Sequence, residues 1–203
     1  LISTEELAII MTYGIGNLFL RDKESRLAGT DRESMKTTAL LFGLDLDYVS
    51  LTLPRIPCAE EAEKITALAE LCSENFADYN AERMARLIKK RMSSGEIFVI
   101  EHKNNIAGFI MFSKKNKTID HIAVSPDYRR IGIASRLMVT AMAQFEVGEE
   151  LSAVTFRQEH PMSDGVSRMY KKFGFDDEKN IVVRGEPLVK RTAVVPEKAI
   201  ITE

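Results

Sequence analysis

The stretch DYRRIGIASRL, residues 127–137, follows the apolar run IDHIAV almost directly. It sets two arginines and an isolated glycine between an expected buried strand and an expected helix. Gly132 lets the backbone approach a ligand with no Cβ in the way. A helix starting there aims its unpaired amides and the positive end of its dipole at the same point, a ready seat for phosphate. Arg129 and Arg130 add charge, and a guanidinium can grip phosphate oxygens with two donors. The stretch is not a Walker loop, because the further glycine and the terminal Lys-Ser/Thr pair are missing. It also lacks the three spaced glycines of a dinucleotide fingerprint.

The elements that must hold this turn are legible in the hydrophobic pattern. Residues 3–43 read as helical, with capping-box spacing at Ser3/Glu6 and Thr30/Glu33 and Gly43 as a stop. DYVSLTL (47–53) reads as a strand, followed by a turn between Pro54 and Pro57. A helix is expected from about 59 to 76 with Ile65, Leu68, Leu71 and Cys72 on one face. A second, about 80–92, carries Met84, Leu87, Ile88 and Met92. Strands 96–102 and 106–114 flank Lys103-Asn104-Asn105 as a hairpin, and 118–125 continues the meander. A helix at 131–145, a strand at 151–156, a short helix at 164–173 ending at Gly174, and two strands within 175–195 complete the order. This describes an α/β domain around a mixed sheet.

Bulk composition narrows the function classes. The chain has 203 residues, 45% of them hydrophobic, enough for one or two domains with a substantial core. A net charge of −2 offers no general field for nucleic acid or anionic membrane, so neither is an expected partner. The runs Lys89-Lys90-Arg91 and Lys114-Lys115 read as solvated element ends. No apolar run reaches the roughly 18–20 residues of a membrane-spanning helix, and no secretory pattern opens the sequence. Cys58, Cys72 and three scattered histidines form no disulfide framework or metal cluster, which fits a reducing, cytoplasmic setting. The first residue is Leu1, as expected of a piece of a longer chain.

Taken in order, strand, VSPDYRRIGIASRLM, helix, strand and RMYKKFGF resemble the GNAT superfamily of acyl-CoA-dependent N-acyltransferases. The family's loop pattern, Gln/Arg-x-x-Gly-x-Gly/Ala, is met by Arg129-Arg130-Ile131-Gly132-Ile133-Ala134. Its tyrosine shortly before Gly-Phe is met by Tyr170. The resemblance covers about residues 48–195 and implies a mixed, mostly antiparallel central sheet flanked by helices. It leaves residues 1–47 as a helical N-terminal extension and 48–203 as the transferase domain.

The resemblance also implies a site. The pantetheine arm of acetyl-CoA, the co-substrate, would lie along Ile122, Ala123 and Val124 and pair with their main chain. The pyrophosphate would take the amides of the loop from Arg130 through Ile131, Gly132, Ile133 and Ala134 to Ser135, with Arg129 beside it. A strand amide at or next to Ile122 would polarise the thioester carbonyl, and Tyr170 would be the acid for the leaving thiolate. The base is open. His121 has the better-placed pKa and Asp120 is its neighbour, with strand alternation expected to send the two to opposite faces. Glu159, His160 and a water chain are the other options. Ser163 and Asp164 stand where the family often opens the tyrosine's helix with Asn.

The expected activity is transfer of an acetyl group to a primary amine, on a small molecule, a peptide or a protein, by direct attack in a ternary complex. The alternative is an acyl-CoA sensor or interaction domain without turnover. Residues 1–47 would then belong to the regulation of a larger chain; they could instead be a dimerisation arm, making a homodimer, or a lid on the acceptor site. A nucleotide-binding α/β domain would need a parallel sheet, which the hairpin at 103–105 opposes.

Overall fold

A computed structural model describes residues 54–77, 79–102, 105–157 and 163–197. The predicted helices within 3–43 and the strand 47–53 lie outside them. After a short 3-10 turn, helices α1 (Ala62–Leu71) and α2 (Ala81–Ser93) precede three strands, β1 (Ile97–His102), β2 (Asn105–Ser113) and β3 (Thr118–Val124). Helix α3 (Ile133–Met142), strand β4 (Glu150–Phe156), helix α4 (Ser163–Lys172) and strands β5 (Asp177–Val183) and β6 (Glu186–Val194) follow. The strands form one sheet in the order β1-β2-β3-β4-β6-β5, antiparallel except for the β3–β4 pair. Arg55 bridges to Val99 at the β1 edge.

The predicted mixed sheet is therefore observed. The sheet is covered on both faces, which explains the near-continuous apolar runs of β1 and β2. Ile97, Val99, Phe109 and Met111 pack with Ile65, Leu68, Ala69 and Cys72 of the α1 region and Met84 and Ile88 of α2. On the other face Phe98, Ile100, Ile110 and Phe112 meet Ile133, Leu137, Met138 and Ala141 of α3, with Tyr170 and Phe175.

Two readings of the helices need correction. Leu71 is 60% exposed; the buried stripe of α1 runs through Ile65, Leu68, Ala69 and Cys72, one step around the helix. Lys89 and Lys90 are solvated as expected, but Arg91 is only 7% exposed. Three and seven residues past Ile88 and Met84, it falls on the buried stripe of α2.

Gly108 lets α3 sit close on β2. A Cβ there would come within 2.8 Å of Ile133 Cγ2 and 3.0 Å of the Ala123 carbonyl oxygen. Gly108→Ala should therefore lower stability by about 1–3 kcal/mol, a fall in Tm of about 2–12 °C. Thermal unfolding of the variant checks this, and an unchanged Tm would mean that α3 can shift to admit the methyl group.

Candidate active site

Strand β3 keeps its pairing to β2 along its length but leaves β4 early. The parallel ladder joins only Thr118 to Ser152 and Ile119 to Ala153, whereas β4 stays on β6 from Glu150 to Phe156. From Asp120 onward one side of β3 faces an opened fork. The Ser125 amide donates to the Ala107 carbonyl oxygen of β2. The preceding carbonyl, of Val124, must therefore point the opposite way, into the fork, and strand alternation sends the main-chain groups of Ile122 to that side too. The fork thus presents strand backbone with no neighbouring strand among the described residues, which an extended ligand can join as an added strand.

At the end of β3 a 3-10 turn (Pro126–Tyr128) leads into the loop before α3. Arg130 and Gly132 both have left-handed backbone, φ 69° and 85°. The first is a strained conformation for a side chain with a Cβ, of a kind that collects at ligand-binding loops. Gly132 is the N-cap of α3, makes no side-chain cap, and is followed by a first turn without acidic residues. The Arg136 amide is the first to close back, onto the Gly132 carbonyl oxygen at 3.1 Å. The amides of Ile133, Ala134 and Ser135 are thus the leading donors of the helix, aimed at the loop.

The arginines divide the work differently from the sequence reading. Arg130 is exposed at the turn. Arg129 folds back: its Nε donates to the Val124 carbonyl oxygen at 3.2 Å, and its buried Nη2 has no partner among the described residues. The buried thiol of Cys72 donates to the same carbonyl at 3.6 Å; burial pushes that thiol up, and the Arg129 guanidinium opposes the shift. Arg136 was missed. Its guanidinium lies under Gly132 and donates to the Ile131 carbonyl oxygen at 3.0 Å. The available signal was its place one helical turn past Gly132.

His121 and Tyr170 sit on opposite faces of the sheet. The His121 ring meets Phe76, between α1 and α2, edge-on with centroids 5.1 Å apart, and its buried Nδ1 has no partner among the described residues. Burial lowers its pKa below 6.5; Asp120 opposes this and Arg91 adds to it. Phe76 also stacks on Tyr79, whose buried hydroxyl lacks a partner among the described residues. Tyr170, 4% exposed, packs edge-on against Phe175 at 5.2 Å on the α3/α4 side. Burial raises its pKa strongly, Arg191 works against that and Asp120 with it, so the phenol stays protonated and lies further from a thiol's range than an exposed tyrosine.

Alternation fails at Asp120. Met111 faces His121 and Phe112 faces Ile119, so Asp120 is an extra residue in a β-bulge. Its carboxylate is held by Arg91 from α2, the side on which His121 also packs. The expected separation of Asp120 and His121 to opposite faces is therefore corrected. Glu159 and His160 lie outside the described residues, as do the side chains of Ser163 and Asp164. No group of three or more potential metal ligands occurs among the described residues, and no helix there is long and apolar enough to cross a membrane.

Comparisons with known proteins agree with this architecture. Residues 93–177 match the family model described as an acetyltransferase (GNAT) domain. Among solved structures, a GNAT-family acetyltransferase from Bacillus cereus ATCC 10987 has TM-score 0.55 at 17% identity, over 70% of this chain and 95% of that one. A putative GNAT-family acetyltransferase from Desulfovibrio desulfuricans gives 0.57 at 16%, over 70% and 96%. Ard1 from Thermoplasma volcanium gives 0.54 at 19%, over 71% and 97%. At these identities the likeness is one of fold. No curated protein sequence matches the chain. The family model thus places the likeness to GNAT acetyltransferase domains on residues 93–177, from the end of α2 to the start of β5.

Proposed function

We propose that the protein transfers an acetyl group from acetyl-CoA to a primary amine by direct attack, within a domain extending from about residue 48. The observation that carries this reading is the fork that opens after Ile119 and Ala153 and ends at the Gly132 turn. Acetyl-CoA is the co-substrate of GNAT acetyltransferases and supplies an activated carbonyl and a thiolate leaving group. The residues fit it. Ile122 and Val124 offer main-chain groups to a pantetheine arm, with Ala123 between them facing β2. Arg130 through Ser135 offer amides and charge to a pyrophosphate, with Arg136 beneath and, at the strand end, the Arg129 Nη2 that has no partner among the described residues.

Each step then has a group to perform it, although burial makes Tyr170 a weaker acid than an exposed tyrosine. The Ile122 amide, facing the fork, donates to the carbonyl oxygen as negative charge develops there. His121 Nδ1, neutral and without a partner among the described residues, takes the proton of the acceptor's ammonium, directly or through one water. Tyr170, held protonated, gives its proton to the departing sulfur from the opposite face. The acceptor enters on the α1/α2 side, where Phe76, Tyr79 and His121 make an aromatic wall suited to an ammonium group.

The test is amine-dependent release of free thiol from acetyl-CoA, with mass detection of the acetylated product, across small amines, peptide N-termini and lysine peptides. Binding of acetyl-CoA without transfer to any of them would overturn the reading. A pH profile refines it. Because burial depresses the His121 pKa, kcat/KM for the acceptor should fall only below about pH 6.5, with its midpoint under that value. His121→Gln should lose about 10–100-fold and flatten that limb; an unmoved limb would assign it to another group. The same depression means that the unfolded chain binds the proton first. On that account the fold loses stability as pH drops below about 6.5.

A further inference from the structure

At the fork's origin lies a closed polar network. Arg91 donates Nε and Nη2 to Asp120 Oδ2, at 2.9 and 2.6 Å, and Nη1 to Glu96 Oε2 at 2.5 Å. Thr118 Oγ1 donates to the other Asp120 oxygen at 2.7 Å. Glu96 accepts further from Ser94 Oγ and from the Lys114 amide, at 2.9 and 2.8 Å. The last turn of α2, the turn into β1, the β2–β3 turn and the start of β3 are thus tied together. A buried ion pair is a poor device for stability alone, since apolar residues of similar volume often serve as well. What this one fixes is a shape: Asp120 is both the bulged residue and the first residue past the β3–β4 ladder. Its charge is felt at His121 on one face and at Tyr170 on the other.

We propose that Arg91 and Asp120 are positioning residues for acyl transfer, pinning the bulge of β3 to α2 and thereby fixing the His121 ring and the Ile122 peptide at the mouth of the fork. The proposal rests on the acyltransferase reading. The charges that act on His121 are Asp120 of its own strand and Arg91 of α2; the Phe76 ring packed on it is neutral.

The experiment uses the full chain with Asp120→Asn, Arg91→Lys and Thr118→Val. It reads kcat, the acetyl-CoA KM, and the NMR titration of the His121 ring, assigned with His121→Gln. Asp120→Asn should lower kcat roughly 10–100-fold with little change in the acetyl-CoA KM, since small displacements at a reacting centre cost rate steeply. It should also move the His121 midpoint to lower pH. Arg91→Lys, which keeps a charge but cannot hold both partners with a fork, should lie between Asp120→Asn and wild type. Thr118→Val should cost a smaller factor, and it keeps the test alive if Asp120→Asn fails to fold. Variants that lose only melting temperature, with kcat and the His121 titration unmoved, would overturn the proposal. If the wild-type chain transfers acetyl to no amine, the acyltransferase reading falls. The titration then still decides the pinning: an unmoved His121 midpoint refutes it.

Discussion

Tyr170→Phe should lower kcat about 100- to 1000-fold and leave acetyl-CoA affinity within about threefold of wild type. The reasoning is local. The ring is buried against Phe175 in the layer between sheet and α3/α4, and phenylalanine fills the same space. Only the hydroxyl is lost, and with it the proton that the leaving sulfur needs. Burial keeps that proton in place, so Tyr170 should contribute no alkaline fall in rate up to about pH 10, where an exposed tyrosine would be half ionised. Steady-state kinetics and isothermal titration with acetyl-CoA check both halves. Unchanged turnover would remove Tyr170 from the chemistry, and water would then protonate the thiolate. Binding without turnover in the wild-type chain itself would favour the sensor reading.

Gly132→Val is expected to weaken acetyl-CoA binding about 10- to 100-fold, which is about 1.4–2.8 kcal/mol. The space around Gly132 is not the obstacle: the three atoms nearest a Cβ all belong to the Arg136 guanidinium, at 3.5 Å or more. The obstacle is φ 85°, which a β-branched residue adopts only with strain. Relief of that strain turns the loop and carries the leading amides of α3 away from where a pyrophosphate would meet them. The helix and its packing through Ile133 and Leu137 remain, so the chain should stay folded. Binding that survives the substitution would reduce DYRRIGIASRL to an ordinary connection.

The sequence made the order of the described elements readable because it changes period cleanly. Apolar runs bounded by turns gave β1, β2 and β3, and the Met84/Ile88 spacing gave α2. The Gly132 turn was readable because glycine and two arginines stand together between an apolar run and a helical pattern. What escaped was tertiary. The bulge at Asp120 leaves no mark in the alternation of TIDHIAV, and the carboxylate there is held by Arg91, 29 positions earlier. Arg91 looked like one of three basic residues at a helix end, although its place on the Met84/Ile88 stripe could have marked it as buried. Arg129 resembled Arg130 in sequence and differs in role because the Val124 carbonyl draws it back. Tyr170 was found by its motif, but its distance from the thiol pKa range depends on burial that no local pattern encodes.

The most direct test of the central claim is thermal unfolding of the purified chain with acetyl-CoA, and separately with ATP and NAD. At about 100 times its dissociation constant, acetyl-CoA should add about 2.7 kcal/mol, raising Tm by about 5–11 °C, with no comparable rise from the other two. A folded chain, free of carried-over coenzyme, that melts at the same temperature with and without acetyl-CoA would contradict the account.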